Sequence, residues 1–413
     1  MELTEKQLIY DWNIEGGAAR PLRERIDLND ETLRDGLQSP SVRTPAIEQK
    51  LEILHALAAI GIDALDIGLP GAGPHVQRDV LRLAREIVAA RLPLAPNCAA
   101  RTLEADIRPI AEISQQAGIA IEAACFLGSS PIRQYTEGWE LDRMLGLVRE
   151  SVGFAVREGL PVMFVTEDTT RARPEDLRRL YTEAVEAGAR RVCIADTVGH
   201  VTPQGTRALV SFIRGVVDAT GEQVAVDWHG HNDRGLAIAN CMAAVEAGAD
   251  RVHGTVLGVG ERVGNAQLDQ ILVNFELLGW SRRNLAPLAG LCALVASATE
   301  VAIADCYPIV GRDAFRTQTG VHAAAILKAK AKGDVWLADR IYSGIPAALV
   351  GRKQEIEIGP MSGQANVVYW LAERGIPADP ELVQELFRAG KEASSTLAEE
   401  RLLEICRGRG VVA

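Results

Sequence analysis

Eight times between residues 26 and 262 the chain repeats one unit: a short apolar run closing on a polar or glycine-bearing motif, then a helical pattern. The runs are IDLNDETLRDG, ALDIGLPG, LPLAPNCAAR, IAIEAACFLGSS, PVMFVTEDTTR, RVCIADTVG, VAVDWHGHND and RVHGTVLGVGER. The intervening apolar periodicity predicts helices over 45–60, 76–90, 103–117, 141–158, 174–187, 203–217, 235–247 and 266–278. Two of them close on Ala187-Gly188 and Ala247-Gly248, where glycine can take the left-handed C-cap conformation. Eight such units over about 250 residues predict a TIM (β/α)8 barrel. We place it at 25–284. Residues 1–24 read as a polar arm with a Gly-Gly interruption. Beyond 285 the alternation stops, and helices over 284–303, 320–333, 363–374, 380–389 and 393–406 predict a helical C-terminal region, 285–413.

Every polar motif closes a strand, and in a parallel barrel those ends share one rim. Asp35, Asp66, Arg101, Glu167, Thr197, His229, His231 and Asn265 are therefore expected around one mouth. Any one of them could instead be a helix N-cap, Thr197 and Asp168 above all. His229 and His231 stand two apart on a strand, so both imidazoles point the same way. Two imidazoles and the carboxylate of the DETLRDG cluster suit a divalent ion with open positions, Mg2+ or Mn2+ ahead of Zn2+. His322 draws notice because the chain has 7 histidines.

With 413 residues and 47% hydrophobic content the chain can bury a barrel-sized core and a smaller region besides. A net charge of -11 with no basic block argues against nucleic-acid binding. The 7 cysteines show no CxxC spacing and several sit inside apolar runs, as expected of reduced thiols in the cytoplasm. The N-terminus is acidic and lacks a signal-like apolar run, and nothing elsewhere approaches a membrane span.

LRDGLQ (33–38), EDTTR (167–171), ADTVG (195–199), HGHNDRGLAIAN (229–240), GVGERVGN (258–265), TGVHAAAILK (319–328) and SGQANV (362–367) together resemble the DRE-TIM metallolyases. The resemblance lies nearest the 2-isopropylmalate, homocitrate and citramalate synthases and covers about residues 25–370. It implies a divalent-metal-dependent Claisen condensation of an acyl-CoA, acetyl-CoA first, with a 2-oxo acid, followed by thioester hydrolysis. By matching positions it implies Asp35, His229 and His231 as metal ligands, with Asn265 coordinating or beside the ion. Arg34 would stabilise the developing enolate; Gln38 and Thr197 would hold the 2-oxo acid. Glu167, His322 and Tyr342 would serve acid–base chemistry, His322 reaching the barrel mouth of the partner subunit in a domain-swapped homodimer.

Leu37 departs from the synthases, since RDGLQ is the form seen in the 3-hydroxy-3-methylglutaryl-CoA lyase branch, so a lyase running the retro-Claisen direction is the alternative. Against it, the 258–265 loop lacks the cysteine that branch resembles. Arg101 and Arg133 are candidates to bind a second anionic group on the 2-oxo acid, favouring a diacid such as 2-oxoglutarate, with a branched apolar 2-oxo acid as competitor and a loop-bridging role as the plain alternative. About 40 residues follow SGQANV, so no separate regulatory domain is expected.

Overall fold

The protein is described from a computed structural model that covers residues 4–15 and 20–411. The Gly16-Gly17 interruption of the arm lies outside the described residues. Two compact units are present: one runs to Asn284 and includes Gly290–Ala302, the other comprises Leu285–Ala289 and Ile303–Ala413.

The first unit is a closed barrel of eight parallel strands in sequence order, β1 (Asp27–Asp30), β2 (Ala64–Asp66), β3 (Ala95–Arg101), β4 (Glu122–Gly128), β5 (Val162–Glu167), β6 (Arg191–Asp196), β7 (Ala225–Gly230) and β8 (Arg251–Gly254). Closure is made by β1 against β8, Asn29 opposite His253. The eight expected barrel helices are all present and begin and end within two residues of the sequence expectation, from Ile47–Ile60 to Leu268–Leu277. Ile47–Ile60 shows why: Ile53, Leu54, Leu57 and Ile60 form one buried stripe, and Gly61 at φ 88 stops the helix by donating its N–H to the carbonyls of Leu57 and Ala58. Each such buried side chain stabilises by about 1.5–3 kcal/mol.

Several features differ from the sequence expectation. After β4 an additional helix, Pro131–Glu137, forms between the Ser130 cap and Gly138 at φ 63; seven residues carry too short a period to announce it. Residues 290–302, expected in the C-terminal region, cluster with the barrel. That stretch buries Leu291, Cys292, Val295 and Ala298, and its end is tied to residue 43, with the Thr299 carbonyl accepting from Arg43 N at 2.9 Å. The last helix begins at Glu399 rather than 393, because residues 393–398 form a bend and a short non-helical run in which Leu397 N donates to Ile358 O at 2.8 Å.

The C-terminal unit holds Gly320–Ala331, Gln364–Glu373, Pro380–Glu392 and Glu399–Gly408, with a short unexpected helix Val335–Arg340. A two-residue parallel pair joins β9 (Arg316–Thr317) to β10 (Glu355–Ile356). Its core gathers Ile358, Val367, Trp370, Leu371, Leu386 and Leu402. Among the described residues no helix is long and apolar enough to cross a membrane.

Candidate active site

Small residues make the room. Ala99 on β3, Ala124 on β4 and Ala195 on β6 line a cavity of about 200 Å3. Arg34, Asp35, Gln38, Asp66, Glu167, Thr197, His229 and His231 also line it, as do Glu31, His253, Glu261 and an apolar wall that includes Leu69, Phe126, Met163 and Val165.

β1 stops at Asp30, and a tight turn carries Arg34 and Asp35 inward. Each nitrogen of Arg34 meets a carboxylate: Nε donates to Asp66 at 2.7 Å, Nη1 to Asp35 at 2.9 Å and Nη2 to Glu31 at 3.0 Å. Burial pushes the Asp66 carboxyl up to about 6 against the pull of Arg34. Burial would also raise Glu31 and Asp35, but in Glu31 the charges of His229, Arg34 and His253, and in Asp35 those of Arg34, His229 and His231, hold both carboxyls below their ordinary values.

His231 Nε2 lies 3.9 Å from Asp35 Oδ2, and its Nδ1 is 3.2 Å from the Gly264 carbonyl. Burial, then the neighbouring His229, pushes its pKa down to about 4, so it offers a neutral imidazole. Asn265 donates from Nδ2 to Asp35 Oδ1 at 2.8 Å. Gly260 permits this: a Cβ there would stand 2.1 Å from Asn265 Nδ2.

Glu167 ends β5 and is raised by burial, with Arg133 and Arg34 pulling the other way. A carboxyl raised in this way at a cavity wall is a more ready proton carrier than an exposed one. Thr197 accepts from Asp168 N at 2.8 Å, which fixes its hydroxyl at the rim, and Asp168 itself sits at φ 56, a strained backbone for a non-glycine residue.

The two arginines separate. Neither lines the cavity, but Arg101 is bound by Asp106 through Nε at 2.7 Å and Nη2 at 2.8 Å. Arg133 lies against Gly128, where a Cβ would meet its Nε at 2.9 Å. Its charge acts on Glu167, and its ion pair with Glu137 is long, 3.4 Å. In the C-terminal unit His322 and Tyr342 stack, ring centroids 3.9 Å apart at 27°.

Sequence reasoning assigned no role to Glu31, His253 and Asp227. Glu31 Oε1 is 2.7 Å from His253 Nδ1, Glu31 Oε2 is 3.0 Å from His229 Nδ1, and His253 Nε2 is 3.0 Å from Asp227 Oδ2. Farther in, Asp227 takes Arg251 Nε at 2.5 Å and Arg191 Nη1 at 2.7 Å, and both arginines also pair with Glu122. The signal was available: Asp227, His229 and His231, like Arg251 and His253, keep the period of two that points residues to one face of a strand.

Residues 25–295 match the HMGL-like family, well over half of the chain. The chain belongs to the HMGL-like family. Among relatives of this HMGL-like protein, the homocitrate synthase AksA of Methanopyrus kandleri is 34% identical over 393 residues, 94% of this chain and 93% of its own. The homocitrate synthase of Pyrococcus abyssi is 33% identical over 380 residues, 92% of this chain and 98% of its own. The 2-isopropylmalate synthase of Pyrococcus furiosus is 30% identical over 379 residues, 90% of this chain and 72% of its own. A solved hydroxymethylglutaryl-CoA lyase from Pseudomonas aeruginosa has the same fold, with a TM-score of 0.57 at 19% identity over 67% of this chain and 93% of its own.

The residues of this HMGL-like barrel fit a divalent ion. Ligand atoms of Asp35, His229 and His231 lie within 4.8 Å of one another, all buried. Two ligands about 2.0–2.2 Å from a shared ion stand at most about 4.4 Å apart, and the Asp35–His231 separation of 3.9 Å is inside that span. Beside them Asn265 Oδ1 is a buried acceptor without a partner. A second set, Glu31, His229 and His253, is equally close, but its carboxylate and His253 already bond one another. A wider cleft of about 710 Å3 within the C-terminal unit is lined by paired charges such as Arg316–Glu357 and Arg374–Glu399 and includes no His or Cys.

Proposed function

We propose that the protein is an acyltransferase that condenses acetyl-CoA with a 2-oxo acid and hydrolyses the thioester, giving a 2-hydroxy acid and CoA. The observation that carries this reading is one buried cavity holding Asp35, His229 and His231 beside Arg34 and Glu167, in a chain alignable with such synthases over about nine-tenths of its length.

A divalent ion, when bound, supplies Lewis-acid polarisation of the 2-oxo group. Asp35, His229 and His231 hold it, with Asn265 beside them. Gln38 and the fixed hydroxyl of Thr197 orient the 2-oxo acid at the rim. Glu167, held toward neutrality by burial, exchanges the proton of the reacting carbon, in concert with the His322–Tyr342 pair contributed by a second copy of the chain. Arg34 stays cationic throughout and stabilises the enolate oxygen as charge develops there.

Arg133 beside Glu167 supports a 2-oxo acid with a second anionic group. The apolar wall of Leu69, Phe126 and Val165 is what a branched apolar 2-oxo acid would use instead. The lyase reading retains one observation, Leu37 within RDGLQ.

Free-thiol release from acetyl-CoA by the metal-stripped protein, with Mg2+ or Mn2+ restored and 2-oxo acids from pyruvate to 2-oxoisovalerate to 2-oxoglutarate supplied, tests the proposal. Turnover requiring both the ion and one 2-oxo acid supports it and names the electrophile. No thiol release with the ion bound, together with acetyl-CoA formation from a 3-hydroxy-acyl-CoA, establishes the lyase instead.

A further inference from the structure

One buried group has no part in the chemistry above. Glu31, 3% exposed, accepts on both oxygens: Oε1 faces His253 Nδ1 at 2.7 Å and Asn29 Nδ2 at 3.4 Å, while Oε2 faces His229 Nδ1 and Arg34 Nη2, each at 3.0 Å. His253 is in turn held on its other nitrogen by Asp227, 3.0 Å away. Asp227 is pinned by Arg251 and Arg191. The series joins two strands and a loop, running from Asp227 on β7 to His253 on β8, to Glu31 just after β1, and back to His229 on β7.

We propose that Glu31 and His253 are positioning residues for the metal: the series Asp227, His253, Glu31, His229 turns the His229 ring so that Nδ1–H donates to Glu31 and Nε2 is the coordinating atom. A ring nitrogen facing a carboxylate at 3.0 Å carries the hydrogen, which leaves the opposite nitrogen with its lone pair. The competing arrangement makes Glu31 and His253 ligands of a second ion, and the bonds of His253 count against it. Both nitrogens of His253 face carboxylates, at 2.7 and 3.0 Å, so coordination through that ring would break one of these bonds.

This rests on the metal reading of Asp35, His229 and His231, and the test separates the two. Calorimetric titration of the metal-free, full-length protein with Mn2+ is done for the wild type, Glu31→Gln and His253→Gln, with folding of each checked by thermal melts. We expect one Mn2+ per wild-type chain, affinity weakened about 10- to 100-fold in Glu31→Gln, and a smaller loss in the same direction for His253→Gln. Glu31→Gln that melts lower yet binds Mn2+ with wild-type affinity overturns the positioning role and leaves the metal reading intact. Two Mn2+ per chain overturns it in favour of a second ion at Glu31 and His253. A wild type that binds no Mn2+ overturns the metal reading itself. Because Glu31→Gln removes one of the three carboxylates around Arg34 and could fail to fold, nitrogen chemical shifts of the histidine rings in the metal-free wild type give an independent reading: Nδ1–H with bare Nε2 at His229 is expected, and the Nε2–H tautomer refutes the proposal.

Discussion

Replacing Arg34 by Gln strips one shared cation from three buried carboxylates. The side chain is 18% exposed and its partners Glu31, Asp35 and Asp66 are 4%, 7% and 2% exposed, so water cannot take over the pairing. Removing one member of a buried ion pair costs about 3–5 kcal/mol. The loss is not tripled, because Glu31 keeps its histidine donors and Asp66 keeps the N–H of Gly68 at 3.1 Å. What the carboxylates lose in pairing they recover by binding protons, and this gives the prediction its signature.

In the wild type Arg34 is the leading influence that lowers the pKa of Asp35, and His229 precedes it at Glu31. Carboxyls depressed in this way contribute stability above their unfolded pKa, lost as pH falls through the folded value. Without Arg34 burial prevails at Asp35 and Asp66 and raises them, so the variant loses stability as pH rises. The cost of Arg34→Gln must therefore grow between pH 5.5 and pH 8, by about 1.4 kcal/mol for each unit that one carboxyl moves upward. Urea unfolding in chelator at the two pH values reads it. A cost below about 1 kcal/mol, or one equal at both pH values, refutes the counter-ion argument. Arg34→Lys keeps the charge but not a fork reaching three partners, and should fall between Gln and wild type.

Three further outcomes are expected. Asp30 is fully buried and pushed by burial up to about 7; a raised carboxyl contributes stability present below its unfolded pKa and lost as pH rises through the folded one, so Asp30→Asn should gain about 3 kcal/mol relative to wild type between pH 5 and pH 9, and parallel pH profiles in denaturant melts would contradict this. Arg133→Ala should raise KM for a diacid 2-oxo acid by about 10- to 100-fold, as for loss of a charge-assisted pair, while leaving KM for acetyl-CoA unchanged; equal effects on both substrates would show a general rather than a recognition role. On the proposed dimer, in which His322 serves the barrel of a second copy, Glu167→Gln and His322→Gln should each be inactive alone and should restore about one quarter of wild-type turnover when mixed after dissociation, since half of the dimers are then mixed with one intact site each; no recovery would mean that His322 does not act across subunits.

The barrel was legible because its signal is repetitive. The barrel helices announce themselves by an apolar stripe and several by a terminal glycine, as Ile47–Ile60 and Gly61 do. Helix Pro131–Glu137 was not legible, because it buries no residue and its apolar pattern is blank. At the site, His229 and His231 were legible from their spacing, whereas the partners of a guanidinium are not: Arg101 and Arg133 look alike in sequence, and only the position of Asp106, five residues after Arg101, commits the first to an ion pair away from the cavity. Glu31 and His253 were hidden for a similar reason, lying 222 residues apart and meeting only because β1 and β8 close the barrel.

That closure explains how the chain can tolerate charge at its centre. TIM barrels fill their interior mostly with branched apolar side chains, yet this one places Glu31, Asp227, Arg251 and His253 there, all buried. Buried ion pairs contribute little net stability, since desolvation offsets their attraction. The folding energy must come from elsewhere, from the layer between strands and helices where Ile53, Leu57, Leu83, Ile107, Val148, Leu180 and Ile213 are fully or almost fully buried. With stability supplied outside the sheet, the inside is free to be organised for geometry. A change such as Leu57→Ala should therefore lower stability by about 2–5 kcal/mol while leaving Mn2+ affinity per folded molecule unchanged, whereas Glu31→Gln should move the affinity whatever it does to stability. Loss of Mn2+ affinity in folded Leu57→Ala would show that the two layers are not separable in this way.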